Sequence, residues 1–499
     1  MSPPRIRVIA AVFLAGFLVL VAWTARTRAP WCDEGWFASP AYNLAFRGFM
    51  GTTVLDPGSG TPVMNTYTRL DGIDKYTYWV MPLQLIAQAG WYKLLGFGLL
   101  RMRALSIAWA LLALFCWRDV FGELSANRGV ALLAAALVGL DNHFIMAATD
   151  GRMDMMCSAL GIAGVAAYFR LREKHLDWAI FVANALIAAS GLCHPNGVLY
   201  LIALICLVLT YDRSRIRFGH FAIAAFPYLV AAGAWLLYIL KAPDLFWIQL
   251  SGNARGRTTL LAAPLRAINL EIGRYLKGFG FATWSSGFAR LSVIELLVFV
   301  AAILLCAVWK PLRSQLSVRR TLIVTGAVFG YMLAFEGAKP SAYLFHIVPW
   351  FCLATAMASR EIWRRLPAMH FLLAGALGLV MLIDLSRVAV PAIRDRYQKQ
   401  YLPAAEYVRS NAQPRDLIMG PAEVAFVAGF DHDLVDDILL GTKTGKRARF
   451  IVVDERYRDH YESIRTTAPD DYRRVADRLD NEYDKVYDEA NYQVYRLKL

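Results

Sequence analysis

Long apolar runs separated by short polar stretches fill roughly the first four fifths of the chain. An α-helix needs about 20 apolar residues to cross a bilayer, and eleven runs approach or reach that length. The predicted spans are residues 6–23, 100–117, 129–147, 155–169, 178–193, 198–211, 221–240, 291–309, 322–335, 342–358 and 368–385. The pattern predicts a mainly α, polytopic membrane protein with about 11 transmembrane helices plus interfacial helices.

One further apolar segment, residues 76–96, is predicted to lie in the membrane interface rather than to cross the bilayer. It carries Gln84, Gln88 and Lys93 among aromatic residues, as interfacial helices do. A crossing there would also turn four basic clusters outward, against the excess of Lys and Arg in cytoplasmic loops. These clusters lie at residues 170–174, 213–217, 310–320 and 360–365.

This topology places the N-terminus in the cytoplasm and leaves two large outer loops, at about residues 24–97 and 241–287. It divides the chain into a transmembrane domain, residues 1–391, and a tail, residues 392–499, which has no run long enough to span. The tail is predicted to form a small α/β domain on the outer side, which is the periplasmic side if the membrane is a bacterial inner membrane. Its predicted elements are helices at 401–410 and 471–483, a buried strand at 449–453, and a hairpin with strands at 485–487 and 493–495.

Composition excludes a soluble enzyme, since 57% of residues are hydrophobic and the mean hydropathy is +0.40. The formal net charge is +14, yet the tail carries 18 Lys and Arg against 20 Asp and Glu. The positive charge therefore lies in the membrane part, where it indicates topology rather than a nucleic-acid partner. The seven cysteines imply no disulfide framework, because four of them fall inside apolar runs.

Acidic, basic and imidazole side chains are predicted to share the outer membrane face. A carboxylate there can accept a proton from an attacking hydroxyl or amine. Lys and Arg beside it can neutralise a phosphate leaving group. The residues with these properties are Asp33, Glu34, Asp74, Lys75, Asp150, Arg152, Asp154, His194, Lys339 and Tyr343.

Several of these segments, in this order, carry a resemblance to a known family. They are Asp33-Glu34 after the first span, the aromatic segment 76–79 with Leu95-Gly96, the elements 152–154 and 339–343, and the α/β tail. Together they resemble the GT-C superfamily of integral-membrane glycosyltransferases, in the branch of protein O-mannosyltransferases and lipid A aminoarabinose transferases. The chain departs from that branch in lacking Pro-Pro before the interfacial helix and in having a Gly- and Thr-rich insert at 51–66.

The resemblance implies an inverting hexosyl- or pentosyltransferase that takes its sugar from a polyprenyl phosphate. The implied acceptor is a glycolipid, a glycan or a protein. Asp33 matches the catalytic general base, with Glu34 beside it, and Asp154 matches the second acidic position. The residues implied for the donor phosphate are Lys75, Lys339 and Tyr343.

Some assignments stay open at this level. Asp33 and Glu34 can instead cap the helix that follows them, because acids stabilise a helix N-terminus. Arg152 can contact the donor phosphate or pair with a neighbouring acid. The 241–287 loop is either an interfacial helix held by lipid headgroups or a mobile flap that brings Arg255 and Arg257 to the donor phosphate.

A divalent metal, Mn, Mg or Zn, is possible, with Asp154, His194 and Asp74 as candidate ligands, although no spacing requires it. A transporter or flippase of lipid-linked sugars is the alternative function, and a membrane-anchored binding protein is a third. Transporters place ionisable groups near the midplane and often show paired halves. Span centres here are almost free of charge and no halves repeat, so the sequence favours a transferase.

Overall fold

The computed structural model describes residues 3–59, 69–254, 260–281, 287–430 and 433–498. Apolar runs in the membrane part form helices, as the hydropathy pattern predicts. These helices are α1 (Pro3–Thr27), α2 (Cys32–Arg47), α3 (Pro82–Leu95), α4 (Leu99–Ser125), α5 (Arg128–Leu140), α6 (Asn142–Ala148), α7 (Asp154–Leu171), α8 (Leu176–Cys193), α9 (Gly197–Tyr211), α10 (Phe218–Ile239), α11 (Pro243–Ala254), α12 (Pro264–Leu276), α13 (Ser292–Val308), α14 (Lys310–Arg313), α15 (Leu316–Ala334), α16 (Val348–Arg365) and α17 (His370–Arg394).

Within the described ranges, eight helices are long and apolar enough to cross a membrane. A ninth span arises if α5 and α6, bent by 64° at their junction, are taken as one broken span. The two other predicted spans correspond to α9, which is shorter, and to α16. The prediction of a polytopic, mainly α membrane protein is confirmed. Helix α3 is too short to be among the candidate spans, in agreement with an interfacial position.

Basic loops meet at one end of the helix bundle. Arg172 Nε lies 2.7 Å from Asp212 Oδ2, which joins the end of α7 to the loop after α9. Arg320 Nη2 donates to the carbonyl of Thr210 at 2.9 Å, and its guanidinium lies 3.4 Å from the ring centre of Tyr211. Helix α7 runs from this end to Asp154, so the predicted acidic residues lie at the opposite end.

The C-terminal part is a mixed sheet with helices packed on it. Its elements are α18 (Leu402–Asn411), β1 (Leu417–Met419), α19 (Ala425–Ala428), β2 (Asp433–Val435), β3 (Phe450–Val453), α20 (Glu455–Thr467), α21 (Pro469–Glu482), β4 (Tyr483–Glu489) and β5 (Tyr492–Leu497). Strand order is β2-β1-β3-β5-β4, with β1 parallel to β2 and β3, and β5 antiparallel to β3 and β4. The predicted helices, the buried strand and the hairpin are present, whereas β1, β2 and α20 were not predicted.

Helix α17 carries the chain into this domain with little interruption. One helical stretch, Pro367–Asn411, includes α17, a π-helical turn at Tyr397–Tyr401 and α18. The predicted boundary at residue 392 therefore falls inside a helix, because the sequence changes from apolar to charged there without losing its helical propensity.

The C-terminal domain also packs directly on α2. A Cβ atom at Gly35 would lie 2.5 Å from the Ala422 carbonyl carbon, so only glycine permits this approach. Beside it, Trp36 Nε1 donates to Asp436 Oδ2 at 2.8 Å, and the Asp436 amide donates to the Val54 carbonyl at 2.9 Å. The first outer loop and the C-terminal domain thus lie on the same side of the helix bundle.

Candidate active site

The two acids in the first turn of α2, Asp33 and Glu34, lie in different environments. Glu34 turns back toward the helix N-terminus, where its Oε2 accepts from the Trp31 amide at 2.9 Å. Arg103, fully buried in α4, donates to both Glu34 oxygens at 2.8 and 2.7 Å. The Gly151 amide adds a third interaction at 3.1 Å. Burial opposes ionisation, but Arg103 holds the pKa of Glu34 below its ordinary value.

These contacts favour a structural role for Glu34 rather than the catalytic one suggested by the resemblance. Its carboxylate ties α2 to α4 and to the loop before α7. No acceptor atom of Glu34 is free of protein donors, and the side chain has no exposed surface. Of the two acids, Asp33 keeps part of its side chain exposed, 16% against none for Glu34.

Asp33 points to the opposite side, toward Arg152. Arg152 Nη1 contacts Asp33 Oδ2, and Arg152 Nε donates to Asp154 Oδ2 at 2.8 Å. The guanidinium therefore bridges the two predicted acidic positions, and the ion-pair interpretation of Arg152 describes its observed contacts. Burial raises the pKa of Asp33 above its ordinary value, against the opposing charge of Arg152. A carboxyl group with such a pKa is a stronger base than an exposed aspartate.

A tyrosine and a histidine lie near Asp154. The Asn196 amide donates to His194 Nδ1 at 3.1 Å, so Nε2 of the neutral ring carries the proton. That Nε2 lies 3.1 Å from the Tyr343 hydroxyl. His346, in contrast, pairs with Tyr200 at 2.9 Å and is the hydrogen-bonded core histidine that its place within an apolar segment predicts.

A cavity of about 470 Å³ opens beside Arg152. Among the described residues that line it are five cationic side chains and only two acidic ones, Asp150 and Asp154. Apolar side chains of α6 and of the C-terminal turns of α17 form an apolar wall of the same cavity. We call this space the central cavity. Its cationic residues are Arg28, Arg152, Lys277, Arg387 and Arg394, and its apolar residues include Met146, Ala147, Val388, Val390, Pro391 and Ala392.

Asp150, a cavity residue in the loop between α6 and α7, has a raised pKa. Burial and the neighbouring Glu34 carboxylate raise the pKa of Asp150 to about 7, although Arg28 lies 3.7 Å away. The group therefore changes charge near neutral pH.

Three residues expected at the donor phosphate lie in different places. Lys339 is buried, and its Nζ donates to Glu271 Oε2 at 2.8 Å and to the carbonyls of Met332 and Leu333 at 2.7 and 2.9 Å. All three N–H donors are used, so the ammonium has none left for a phosphate. Lys75 is exposed in the turn before α3 and does not line the central cavity. Of the three, Tyr343 lies nearest the acids, because its hydroxyl contacts His194, which is close to Asp154.

Lys339 belongs to a buried ionic network that fixes α12. Arg274 on this helix contacts Glu271 and Glu336, and Lys339 shares Glu271 with it. The apolar side chains of α12, such as Leu265 at 78% exposure, point away from the protein. Polar contacts inward and apolar residues outward suit an interfacial helix and argue against a mobile flap. Arg255 and Arg257 lie outside the described residues.

Metal candidates can be compared by their geometry. Asp154, His194 and Asp74 form no three-ligand group in the part of the chain that the structure describes. Arg152 already provides the positive charge between Asp33 and Asp154, so a metal does not fit there without displacing it. The described residues do contain another set of three acids whose oxygens lie within 4.8 Å of one another: Asp141, Glu295 and Asp384.

Sequence reasoning missed several members of this site. Arg103 resembles one more positive charge at the start of a span, and Arg387 and Arg394 resemble membrane-interface anchors at the end of the last span. Lys277 lies near the end of the predicted outer loop, 241–287. Each of these residues is a cation next to an apolar run on the predicted outer side. That sequence feature becomes informative only when the structure shows that the helix ends converge.

Comparison with known proteins places the fold. No protein-family model matches the chain, and no curated protein sequence matches it. ArnT from Cupriavidus metallidurans, in a structure bound to undecaprenyl phosphate, is similar over 97% of both chains at 14% identity, with a TM-score of 0.62. The Archaeoglobus fulgidus oligosaccharyltransferase AglB, in a complex with an inhibitory peptide and a dolichol-phosphate, is similar over 97% of this chain and 74% of its own at 12% identity, with a TM-score of 0.54. The same enzyme was also solved with Zn and sulfate, and there the TM-score is 0.52.

These similarities extend over nearly the whole chain, including the C-terminal sheet domain. Identity is too low to transfer residue roles, but the arrangement of helices agrees with the resemblance found in the sequence. The chain therefore has the GT-C fold, shared by ArnT and the archaeal oligosaccharyltransferase.

Proposed function

We propose that this protein is a glycosyltransferase that moves a sugar from a polyprenyl-phosphate donor to an acceptor in the cell envelope. The observation that carries the proposal is the central cavity, which joins a cationic lining to an apolar wall beside the Asp33–Arg152–Asp154 chain. A lipid phosphate has the matching chemistry, an anionic head on an apolar chain. The bound lipid phosphates of ArnT and AglB support the same substrate class.

In the proposed reaction, Asp33 accepts a proton from the hydroxyl or amine of the acceptor. The resulting nucleophile attacks the anomeric carbon, and the bond from that carbon to the phosphate oxygen breaks. Polyprenyl phosphate leaves with both bonding electrons, and its negative charge is stabilised by Arg152 and by the other cavity cations. Attack opposite the leaving group inverts the anomeric centre. Arg152, which lies between the two acids, supplies a positive charge there.

The arrangement of charges supports a transferase over a flippase. The acids and cations gather at one end of the bundle next to the C-terminal domain, whereas a transporter needs a site reachable from both sides. Mass spectrometry of envelope glycolipids and glycoproteins from a deletion strain, against the complemented strain, identifies the sugar and the acceptor. Loss of one glycosylated species only in the deletion strain is expected.

We expect the exposed cations of the central cavity to contribute to lipid-phosphate binding. Lys277→Gln and Arg394→Gln should each weaken binding of undecaprenyl phosphate about five- to tenfold, because a partly hydrated cation–phosphate contact is worth about 1 kcal/mol. Tryptophan fluorescence or native mass spectrometry with the purified protein measures this. Arg266→Gln is the matched control, since Arg266 is exposed on neighbouring α12 but does not line the cavity. Equal weakening in all three variants, or none, contradicts the assignment.

We also propose that the active site faces the periplasm of a bacterial inner membrane, with the N-terminus in the cytoplasm. The support is the gathering of basic loops at the end of the bundle opposite the site. An exposed cysteine at Lys443→Cys, in the C-terminal domain, should react with a membrane-impermeant maleimide in intact spheroplasts. Arg213→Cys, exposed at the basic end, should react only after lysis. The reverse pattern would place the site in the cytoplasm.

A further inference from the structure

Three carboxylates that the proposed reaction does not use meet between three helical segments. Asp141 lies at the bent junction of α5 and α6, Glu295 lies in the first turn of α13, and Asp384 lies in α17. All three are at most 2% exposed, and one oxygen from each lies within 4.8 Å of the others. We call this set the triacid cluster.

The protein supplies too little positive charge for this cluster. Arg387 is its guanidinium partner, with Nη1 3.7 Å from Glu295 and 4.0 Å from Asp384. His143 Nδ1 lies 3.2 Å from Asp141. Neither oxygen of Glu295 has a hydrogen-bond partner among the described residues, although the side chain has no exposed surface. Three buried carboxylates outnumber the cationic groups beside them, and incomplete compensation of a buried carboxylate is strongly unfavourable, so a further positive species is expected in the cluster.

The three carboxylates differ in how many of their oxygens already have a hydrogen-bond partner. Asp141 Oδ1 accepts from the Phe144 amide at 2.8 Å, and its Oδ2 lies 3.2 Å from His143 Nδ1. Asp384 Oδ1 accepts from the Asn142 amide at 3.2 Å, which leaves Oδ2. Glu295 has both oxygens available. The backbone of one helix break thus orients two of the three acids.

We propose that the triacid cluster binds one hard divalent cation, Ca²⁺ or Mn²⁺. Oxygens that share one Ca²⁺ lie no more than about 5 Å apart, twice the metal–oxygen distance, and the three oxygens here, all within 4.8 Å of one another, meet that requirement. Mg²⁺ dehydrates reluctantly and usually keeps several waters, so a buried site of this kind suits it less well. Carboxylate ligands select hard cations over soft ones. This site is separate from Asp33, Asp154 and His194, and the evidence for it does not rest on the proposed sugar transfer.

The bound ion would stabilise the structure and take no part in the chemical reaction. It joins the α5–α6 break to α13 and α17, which otherwise present like charges to one another. Asn142, His143 and Arg387, which adjoin the cluster, also line the central cavity. The ion would therefore hold one cationic wall of that cavity in place.

The test uses the purified full-length protein without donor or acceptor. After dialysis against EDTA, elemental analysis with added Ca²⁺ or Mn²⁺ should find one ion per chain. Thermal unfolding should occur at a lower temperature after EDTA, and should recover with Ca²⁺ or Mn²⁺ more fully than with Mg²⁺. Because this readout needs no activity, its failure leaves the proposed transferase untouched.

Substitutions of the cluster acids test whether the ion binds at the triacid cluster. Glu295→Gln and Asp384→Asn should each weaken binding more than about tenfold, since even outer-shell changes have effects of that size. Glu361→Gln is the matched control, a buried acid in α16 that is already paired with Arg364 and Arg365. If the variants fail to fold, the wild-type stoichiometry and thermal shift still decide. Absence of a bound ion with no thermal shift would show that protons neutralise the cluster, and retention of the ion in both variants would place it elsewhere; either result overturns the proposal.

Discussion

Asp33→Asn should lower the rate of sugar transfer by about 10²–10⁴-fold in a protein that still folds, which is the usual contribution of a positioned general base. Asparagine preserves the shape and the contact with Arg152 but cannot take the acceptor proton. Steady-state transfer assays with purified protein measure the loss. Asp71→Asn is the control, because Asp71 is an exposed acid in the same loop, paired with Arg69. A fully active Asp33→Asn protein would contradict the assignment of the base.

The pH profile adds an independent readout. Because burial raises the pKa of Asp33, wild-type activity should fall as the pH drops through a value above the ordinary aspartate pKa of about 3.9. Asp150 also titrates, near pH 7. An Asp150→Asn variant removes that second transition, so an acidic limb that persists in it belongs to Asp33. Residual Asp33→Asn activity should lack this limb.

The largest expected effect on stability comes from the Arg103–Glu34 pair. Arg103→Met removes a guanidinium bonded to both Glu34 oxygens and to the carbonyls of Ala25 and Arg28. A buried carboxylate without its partner destabilises a protein by about 3–5 kcal/mol. Thermal unfolding of the purified variant should therefore shift well below that of the wild type.

The double variant Arg103→Met/Glu34→Gln tests the pairing itself. Its loss of stability should be smaller than the sum of the two single losses, because removing both charges leaves neither uncompensated. Arg118→Met, an exposed arginine on the same helix, should change stability by no more than about 0.5 kcal/mol. Additive losses, or a stable Arg103→Met protein, would refute the structural role of Glu34. Loss of activity in a fully stable Glu34→Gln would restore its catalytic assignment.

Much of the fold follows from the sequence because a bilayer imposes a simple length rule on apolar runs. The charge bias of the loops predicted that α3 does not cross the bilayer, and its 14 residues are too few for a candidate span. The convergence of Asp33, Arg152 and Asp154 also followed, since segments that enter one membrane face must lie near one another.

The hydrophobic and polar pattern of the sequence did not predict which polar residues pair with partners far away in the chain. Lys339 looked like a phosphate ligand, yet Glu271, 68 residues away, occupies its ammonium group. Trp36 donates a hydrogen bond to Asp436, 400 residues away, so the role of the C-terminal domain in fixing α2 could not be predicted from the sequence. The segment 129–147 reads as one continuous span, but Asp141 caps the N-terminus of α6 by accepting from the Phe144 amide, and this break contributes Asp141 to the triacid cluster.

The most direct test follows the fate of one labelled polyprenyl-phosphate sugar incubated with purified protein and an envelope lipid and protein extract. The transferase account predicts that wild-type protein releases free polyprenyl phosphate while an acceptor gains the same amount of sugar, and that Asp33→Asn does neither. In sealed vesicles, movement of the intact donor across the bilayer with no release of phosphate, equal in wild type and Asp33→Asn, would contradict it and identify a flippase.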